Sequence, residues 1–254
     1  MYQFFVEPAA IDEENHRVII AGDDYNHIKN VLRMRQGEEV NVSDGMTLKE
    51  YRCRIESFEE DRVICELCFI KEALTELPSK IYLYQGLPKS DKLELIVQKA
   101  VELGVCEVIP VACKRSVVKL DEKKAAKKTE RLQTIAEAAA KQSKRGYIPK
   151  VSAPMSFGQA VKDAAARAAI RLLPYELADS KGMENTRSII SAIKPGQDIA
   201  IFIGPEGGFD DDEIRLSLEN DMHVITLGRR ILRTETAGLM VLSWLVLMLE
   251  GMNL

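Results

Sequence analysis

Over the first seventy residues, apolar and polar positions alternate in short stretches. Residues 17–20, 39–42, 51–55 and 62–69 are rich in β-branched residues and are separated by Gly22, Gly37 and the Ser43-Asp44-Gly45 triplet. That pattern predicts short strands joined by tight turns. One helical pattern, at 25–34, interrupts them. Strands so short and closely spaced point to a small barrel, and the stretch 71–80, which contains Pro78, reads as a linker.

After residue 80 the period changes. Residues 81–84 predict a strand, and Ser90 stands where it can cap a helix whose apolar positions Leu93, Ile96, Val97, Ala100 and Val101 share one face; Gly104 then ends it. Strand patterns at 105–111, 170–173, 198–203 and 223–227 alternate with helical patterns at 123–144, 158–167, 185–193 and 211–219. Such alternation predicts an α/β fold, a parallel sheet with helices on both faces. The last helix, 236–249, is apolar nearly all round, so it is expected to be buried on every side, in the core or at a subunit interface.

Composition narrows the class. The 254 residues are 46% hydrophobic and 29% charged, which excludes a disordered tail, a collagen-like fibre and a small disulfide scaffold. The longest apolar stretch, 239–249, is broken by Ser243 and falls short of the roughly 20 residues that cross a bilayer. The opening MYQFFVEPAA has neither a basic start nor an apolar signal core, and the five cysteines are odd in number without framework spacing. A cytoplasmic protein without a membrane partner is the expectation. The total charge is −4, yet residues 114–150 hold 12 basic and 4 acidic residues, a local +8 that suits one face meeting a polyanion.

Two stretches carry candidate chemistry. The first, 203–209 (IGPEGGF), is a glycine-rich turn between a strand pattern and a helix pattern, where ligands of open α/β sheets bind. It lacks the lysine of a phosphate loop, and the next helix opens with Asp210, Asp211, Asp212 and Glu213, which favours a neutral or cationic ligand over a phosphate. The second, 227–237 (LGRRILRTETA), places Arg229, Arg230 and Arg233 around an apolar pair, with Thr234 or Thr236 available as a cap. Arginine's planar fork suits a phosphate or a developing oxyanion. Cys65 and Cys68 are three apart in a strand and point to opposite faces, and His16, His27 and His223 stand alone, so metal and hydrolytic chemistry are weak readings.

These motifs, with 27–33, 86–92, 115–118 and 137–145 (EAAAKQSKR), occur in an order that resembles the bacterial 16S ribosomal RNA uridine-N3 methyltransferases of the RsmE type, in the SPOUT superfamily of knotted methyltransferases. The resemblance runs almost end to end. It implies a PUA-like β-barrel over 1–72 that presents RNA, and a SPOUT domain over 73–254 that holds S-adenosylmethionine in a C-terminal trefoil knot. It also implies a homodimer acting on 16S rRNA in the small ribosomal subunit. Cofactor contacts are implied for Leu173, Pro174, Ile203, Gly204, Glu206, Gly207, Leu227, Gly228, Ile231 and Leu232, and RNA contacts for His27, Arg33, Arg35, Arg115, Gln142 and Arg145. Arg233 is implied to steady the anionic uracil and Glu235 to accept its proton, with S-adenosylhomocysteine as product. The acidic start of helix 211–219 then complements a sulfonium. The sequence departs from the family pattern at Gln3, Arg229 and Gly238, where arginine, proline and proline are common. Two other readings are a knotted enzyme with another RNA target and a non-catalytic RNA-binding assembly factor.

Overall fold

Strand patterns of two kinds produce two sheets. The structure, a computed structural model, describes residues 1–117, 122–175 and 182–251. Contacts divide the chain into one unit of Met1–Glu76 with Ala140–Ile148, and a second of Leu77–Ala139 with Pro149–Leu254.

In the first unit lie β1 (Gln3–Phe5), β2 (Ile11–Asp12), β3 (Arg17–Ala21), α1 (Asp23–Asn26), β4 (Glu39–Ser43), β5 (Lys49–Phe58) and β6 (Arg62–Glu72). They form one sheet in the order β1-β4-β5-β6-β3-β2, in which only the β1–β4 pairing is parallel. The predicted helix at 25–34 is shorter and looser: α1 passes into a π-helical turn, His27–Val31. Alternate positions fill the core, among them Val18, Ile20, Val40, Val42, Cys53, Ile55, Val63 and Cys65, which is fully buried while Cys68 is exposed. The linker expectation begins too early, because β6 runs to Glu72.

Residues 140–148 belong to this unit through specific bonds. Ser43 Oγ donates to the Gly146 carbonyl at 2.7 Å, and Gln3 Nε2 donates to the Arg145 carbonyl at 2.6 Å. The Arg145 guanidinium meets Glu76 through Nε (2.8 Å) and Nη2 (2.7 Å), and both side chains are almost wholly buried. Arg145 was expected to face RNA; the structure corrects this, since its charge is spent on Glu76 beneath the surface.

The second unit holds β7 (Ile81–Gly86), α2 (Lys92–Glu102), β8 (Glu107–Ala112), α3 (Glu122–Ser143, its last turn in the first unit), β9 (Lys150–Val151), β10 (Met155–Ser156) and α4 (Phe157–Arg167). It continues with β11 (Ile170–Pro174), α5 (Gly182–Ser191), β12 (Ile199–Ile203), α6 (Asp211–Glu219), β13 (His223–Ile225) and α7 (Thr234–Gly251). The order β10-β8-β7-β12-β11-β13, with β9 beside β8, is parallel at every pairing. The central strands β7 and β12 are buried at every residue, as two covered faces require. Tyr82, Tyr84, Ile109, Ala200 and Phe202 pack against α4, whereas Leu83 and Ile203 lie beside Gly238 of α7, so helices cover both faces.

Local signals set several boundaries. A capping box of Asp210 and Glu213 starts α6, and one of Ser156 and Gln159 starts α4. Ser90 does not cap α2: it sits at φ 58, and Asp91 precedes the first turn without a side-chain bond. Nor do Thr234 and Thr236 cap α7; the Arg233 carbonyl accepts from the amides of Thr236 and Ala237, and Thr234 turns its hydroxyl elsewhere.

Helix α7 differs most from expectation. It begins at Thr234, and at 18 residues with mean hydropathy 1.2 it is long and apolar enough to cross a membrane by length and composition. Its packing against α2, α5 and β12 nevertheless builds it into this fold. It is not buried on every side. Gly238, Val241, Leu242, Leu245 and Leu249 form the covered stripe, while Leu247 is 71% exposed and Leu239, Met240 and Met248 are half-buried.

Candidate functional site

Beyond the carboxyl ends of β11, β12 and β13, three chain segments surround a cavity of about 910 Å³. Pro174 and Tyr175 supply one side, residues 203–209 a second and residues 226–234 a third, with Lys92, Arg115 and Ala237 completing the wall. The two stretches singled out in the sequence thus share one hollow, of a size that takes a small-molecule ligand.

Glycine makes the first loop possible. A Cβ at Gly86 would lie 2.6 Å from the Cδ and backbone nitrogen of Pro205, and one at Gly207 would lie 3.1 Å from Arg115 Cβ. The loop is therefore packed directly onto β7 and onto the segment after β8. Gly208 (φ 67) and Gly228 (φ 101) adopt backbone that other residues hold poorly, and a side chain on either would enter open space. Bare backbone is thus presented by both loops, which fits a cofactor gripped through main-chain groups.

The second loop is fastened at both ends. Thr186 of α5 donates from Oγ1 to the Thr226 carbonyl (3.1 Å) and accepts from the Thr226 amide (3.0 Å). At the far end, Thr234 Oγ1 donates to the Gly204 carbonyl (2.6 Å) and accepts from Gln85 Nε2 (2.8 Å), which ties this loop to the first. Gln85 is fully buried, and its Oε1 has no partner among the described residues.

The charges are sorted between internal pairs and free groups. Lys92 Nζ lies 3.0 Å from Glu206 and 3.3 Å from Glu235, so one ammonium serves a carboxylate from each loop region. The Glu206 hydrogen bond, above all, raises Lys92 over its ordinary range. Burial opposes the ionisation of Glu206, but Lys92 and the backbone amides outweigh it and hold its carboxyl below the usual range. Lys114 binds Asp210 (2.9 Å) and Asp212, and its amide donates to Glu213 at 2.9 Å. Both aspartates are lowered, with the Lys114 hydrogen bond first among the causes. The acidic helix start was expected to complement a cationic ligand. It does not face the cavity: Asp210, Asp212 and Glu213 are engaged by Lys114 and by the cap of α6, and Glu206 is the one carboxylate on the described wall.

The structure places the anticipated residues unevenly. Pro174, Ile203, Gly204, Glu206, Gly207, Leu227, Gly228, Ile231, Leu232 and Arg233 line the cavity. Leu173 does not; it is fully buried in the core between α4 and the sheet, and Tyr175 takes its place. Glu235 stands off the wall with its carboxylate on Lys92. Arg115 lines the cavity, 3.5 Å from the Gly207 carbonyl and 3.8 Å from Asp210. His27, Arg33, Arg35 and Gln142 are exposed on the first unit. Sequence reasoning missed Lys92, Tyr175 and the anchors Gln85 and Thr186. Gln85 carried a faint signal, a polar residue in an otherwise apolar strand. Among the described residues, no three His, Cys, Asp or Glu side chains gather to hold a metal. Burial pushes the thiols of Cys65, Cys106 and Cys113 up to about 12.

Comparison with known proteins agrees with this geometry. Residues 75–246 match the RNA methyltransferase domain model and residues 20–68 the RNA methyltransferase PUA domain model. The Ribosomal RNA small subunit methyltransferase E of Bacillus subtilis (strain 168) is 40% identical over 96% of this chain and 95% of its own length. Its Synechocystis counterpart is 30% identical over 98% of this chain and 78% of its own. A crystal structure of the Neisseria gonorrhoeae enzyme of that name, bound to S-adenosyl methionine, superposes with a TM-score of 0.78 at 28% identity, covering 96% of this chain and 95% of the other.

Proposed function

The chain belongs to the ribosomal RNA small subunit methyltransferase E family, and from that membership we propose that it transfers a methyl group from S-adenosylmethionine to N3 of one uridine in 16S rRNA, leaving S-adenosylhomocysteine. One observation carries this reading. A glycine-rich loop and an arginine-rich loop wall a single cavity, and Arg233 reaches it with no ion pair or hydrogen bond to its side chain among the described residues.

Bound S-adenosylmethionine supplies the activated methyl group. The backbone of residues 203–208, with that of Leu227, Gly228, Ile231 and Leu232, holds it, and Pro174 and Tyr175 close the side. Uracil N3 becomes nucleophilic only when its proton leaves, and the negative charge then spreads to the flanking carbonyl oxygens. Arg233 presents fixed donors to that charge, an electrostatic stabilisation that a guanidinium supplies without losing a proton itself. Glu235 is turned to Lys92, so in this reading its role is to hold the wall, and solvent water takes the N3 proton. Holding N3 in line with the methyl group contributes further. A paired uridine hides its N3 edge, so the target enters extruded or unpaired. His27, Arg33, Arg35 and Gln142 of the first unit contact the surrounding RNA in this reading, within the small ribosomal subunit in the cytoplasm. The two loops form the trefoil knot.

Primer extension on ribosomal RNA tests the assignment. An N3 methyl blocks the pairing edge and halts reverse transcriptase, so a stop present in wild-type cells is expected to vanish when the gene is deleted. An unchanged stop pattern rejects the uridine-N3 assignment.

The reading includes a homodimer formed on the uncovered face of α7, around Leu247, where an 18-residue apolar helix leaves one side open. Light scattering after gel filtration is expected to give twice the chain mass for the native protein and the single-chain mass for Leu247→Lys. A dimer that survives this charge places the interface elsewhere.

A further inference from the structure

The arginines of the second loop divide the charges around the cavity into two classes. Lys92, Lys114 and Arg115 each have a carboxylate within 4 Å. Arg229, Arg230 and Arg233 have no ion pair or side-chain hydrogen bond to any described residue. Arg233 is assigned above to the reacting base. Arg229 and Arg230 remain: exposed, adjacent, and on the wall of the same cavity. Both belong to a loop whose ends are held by Thr186 and by Gly204 with Gln85, so the pair is presented from a fixed scaffold. Two unneutralised guanidinium groups side by side, on a chain of net charge −4, make a local site for a multiply charged anion.

We propose that Arg229 and Arg230 bind backbone phosphates of the substrate RNA next to the nucleotide that enters the cavity. The assignment rests on the function proposed above, and it adds an RNA contact on the catalytic unit itself. Extruding a nucleotide swings its flanking phosphates toward the mouth of the pocket that receives it, and a pair of planar forks suits those oxygens. Contacts of this type position the RNA and carry no base specificity.

The test is the salt dependence of RNA binding, followed by fluorescence anisotropy with a labelled transcript of small-subunit ribosomal RNA. Each phosphate contact contributes about 0.7 to 0.9 to the slope of log K against log salt. The double variant Arg229→Gln/Arg230→Gln is expected to bind roughly tenfold more weakly near 0.1 M salt and to lose about 1.5 from that slope. Arg229→Lys/Arg230→Lys is expected to keep the native slope, which separates charge from loop structure. Calorimetry with S-adenosylmethionine is expected to give affinities within twofold for all three proteins, showing intact cavities. A glutamine variant that retains the native slope and affinity overturns the proposal while leaving the methyltransferase reading in place. A native protein that shows neither salt-dependent RNA binding nor a primer-extension stop overturns both.

Discussion

Replacement of Arg233 by methionine is expected to lower the single-turnover rate of RNA methylation by about 10²- to 10³-fold, the cost of removing one donor from a preorganised oxyanion site. Arg233 engages its backbone and leaves its side chain unused. Its carbonyl closes the first turn of α7, accepting from Thr236 and Ala237, so the backbone at this position is fixed by the helix. Its side chain, by contrast, is exposed to the cavity with no carboxylate among the described residues. An unpaired guanidinium on a rigid turn needs no reorganisation when charge develops beside it. Because methionine keeps most of the apolar stem, the affinity for S-adenosylmethionine measured by calorimetry is expected to change little. Arg233→Lys is expected to recover only part of the rate, since an ammonium is a point charge and cannot present a fork. A methionine variant with a native rate at saturating RNA and cofactor removes Arg233 from the chemistry.

The second large effect falls on stability. Glu76→Gln is expected to destabilise the first unit by about 3–5 kcal/mol, because it removes a carboxylate that binds a buried guanidinium through two nitrogens. Arg145 is 2% exposed, and its Nε and Nη2 both bond Glu76, which also accepts from the Gly146 amide at 2.8 Å. For a unit of this size the loss corresponds to a fall in melting temperature of roughly 12–40 °C, measurable by circular dichroism. Adding Arg145→Met is expected to restore much of the loss, since the buried guanidinium is then removed together with its carboxylate. Equal melting curves for the native protein and Glu76→Gln refute the structural role given to this pair.

Much of this architecture is legible in the chain because its signals are local. Asp210 and Glu213 are three apart and close a capping box, so the predicted and observed limits of α6 coincide. The continuous apolar runs of β7 and β12 announce strands covered on both faces. The ends of the polypeptide patterns fail where partners are distant. Strands β1 and β2 have three and two residues, too few to show a period. Arg145 belongs by composition to a basic segment, but Glu76, 69 residues earlier, captures it. Ser90 has the chemistry of a cap and lies in the right place, yet its left-handed backbone takes it out of that role. For the cavity, both loops were visible because glycine and arginine are conspicuous at strand ends. Gln85, Thr186 and Lys92 were not, since a buried glutamine, a helix threonine and a lysine at a helix start are ordinary residues until the fold brings them to the loops. The acidic run at 210–213 misled for the converse reason, as Lys114 lies nearly a hundred positions away.

The double fastening of residues 226–234 separates support from contact. Thr226 and Thr234 bear the mechanical work, and the intervening tip of Arg229, Arg230 and Ile231 (80% exposed) carries none of it. Such a tip is a replaceable tool head: its side chains can be exchanged without loosening the threonine fastenings that seat the socket. Altering the grip on an RNA backbone therefore leaves the mountings of the loop untouched.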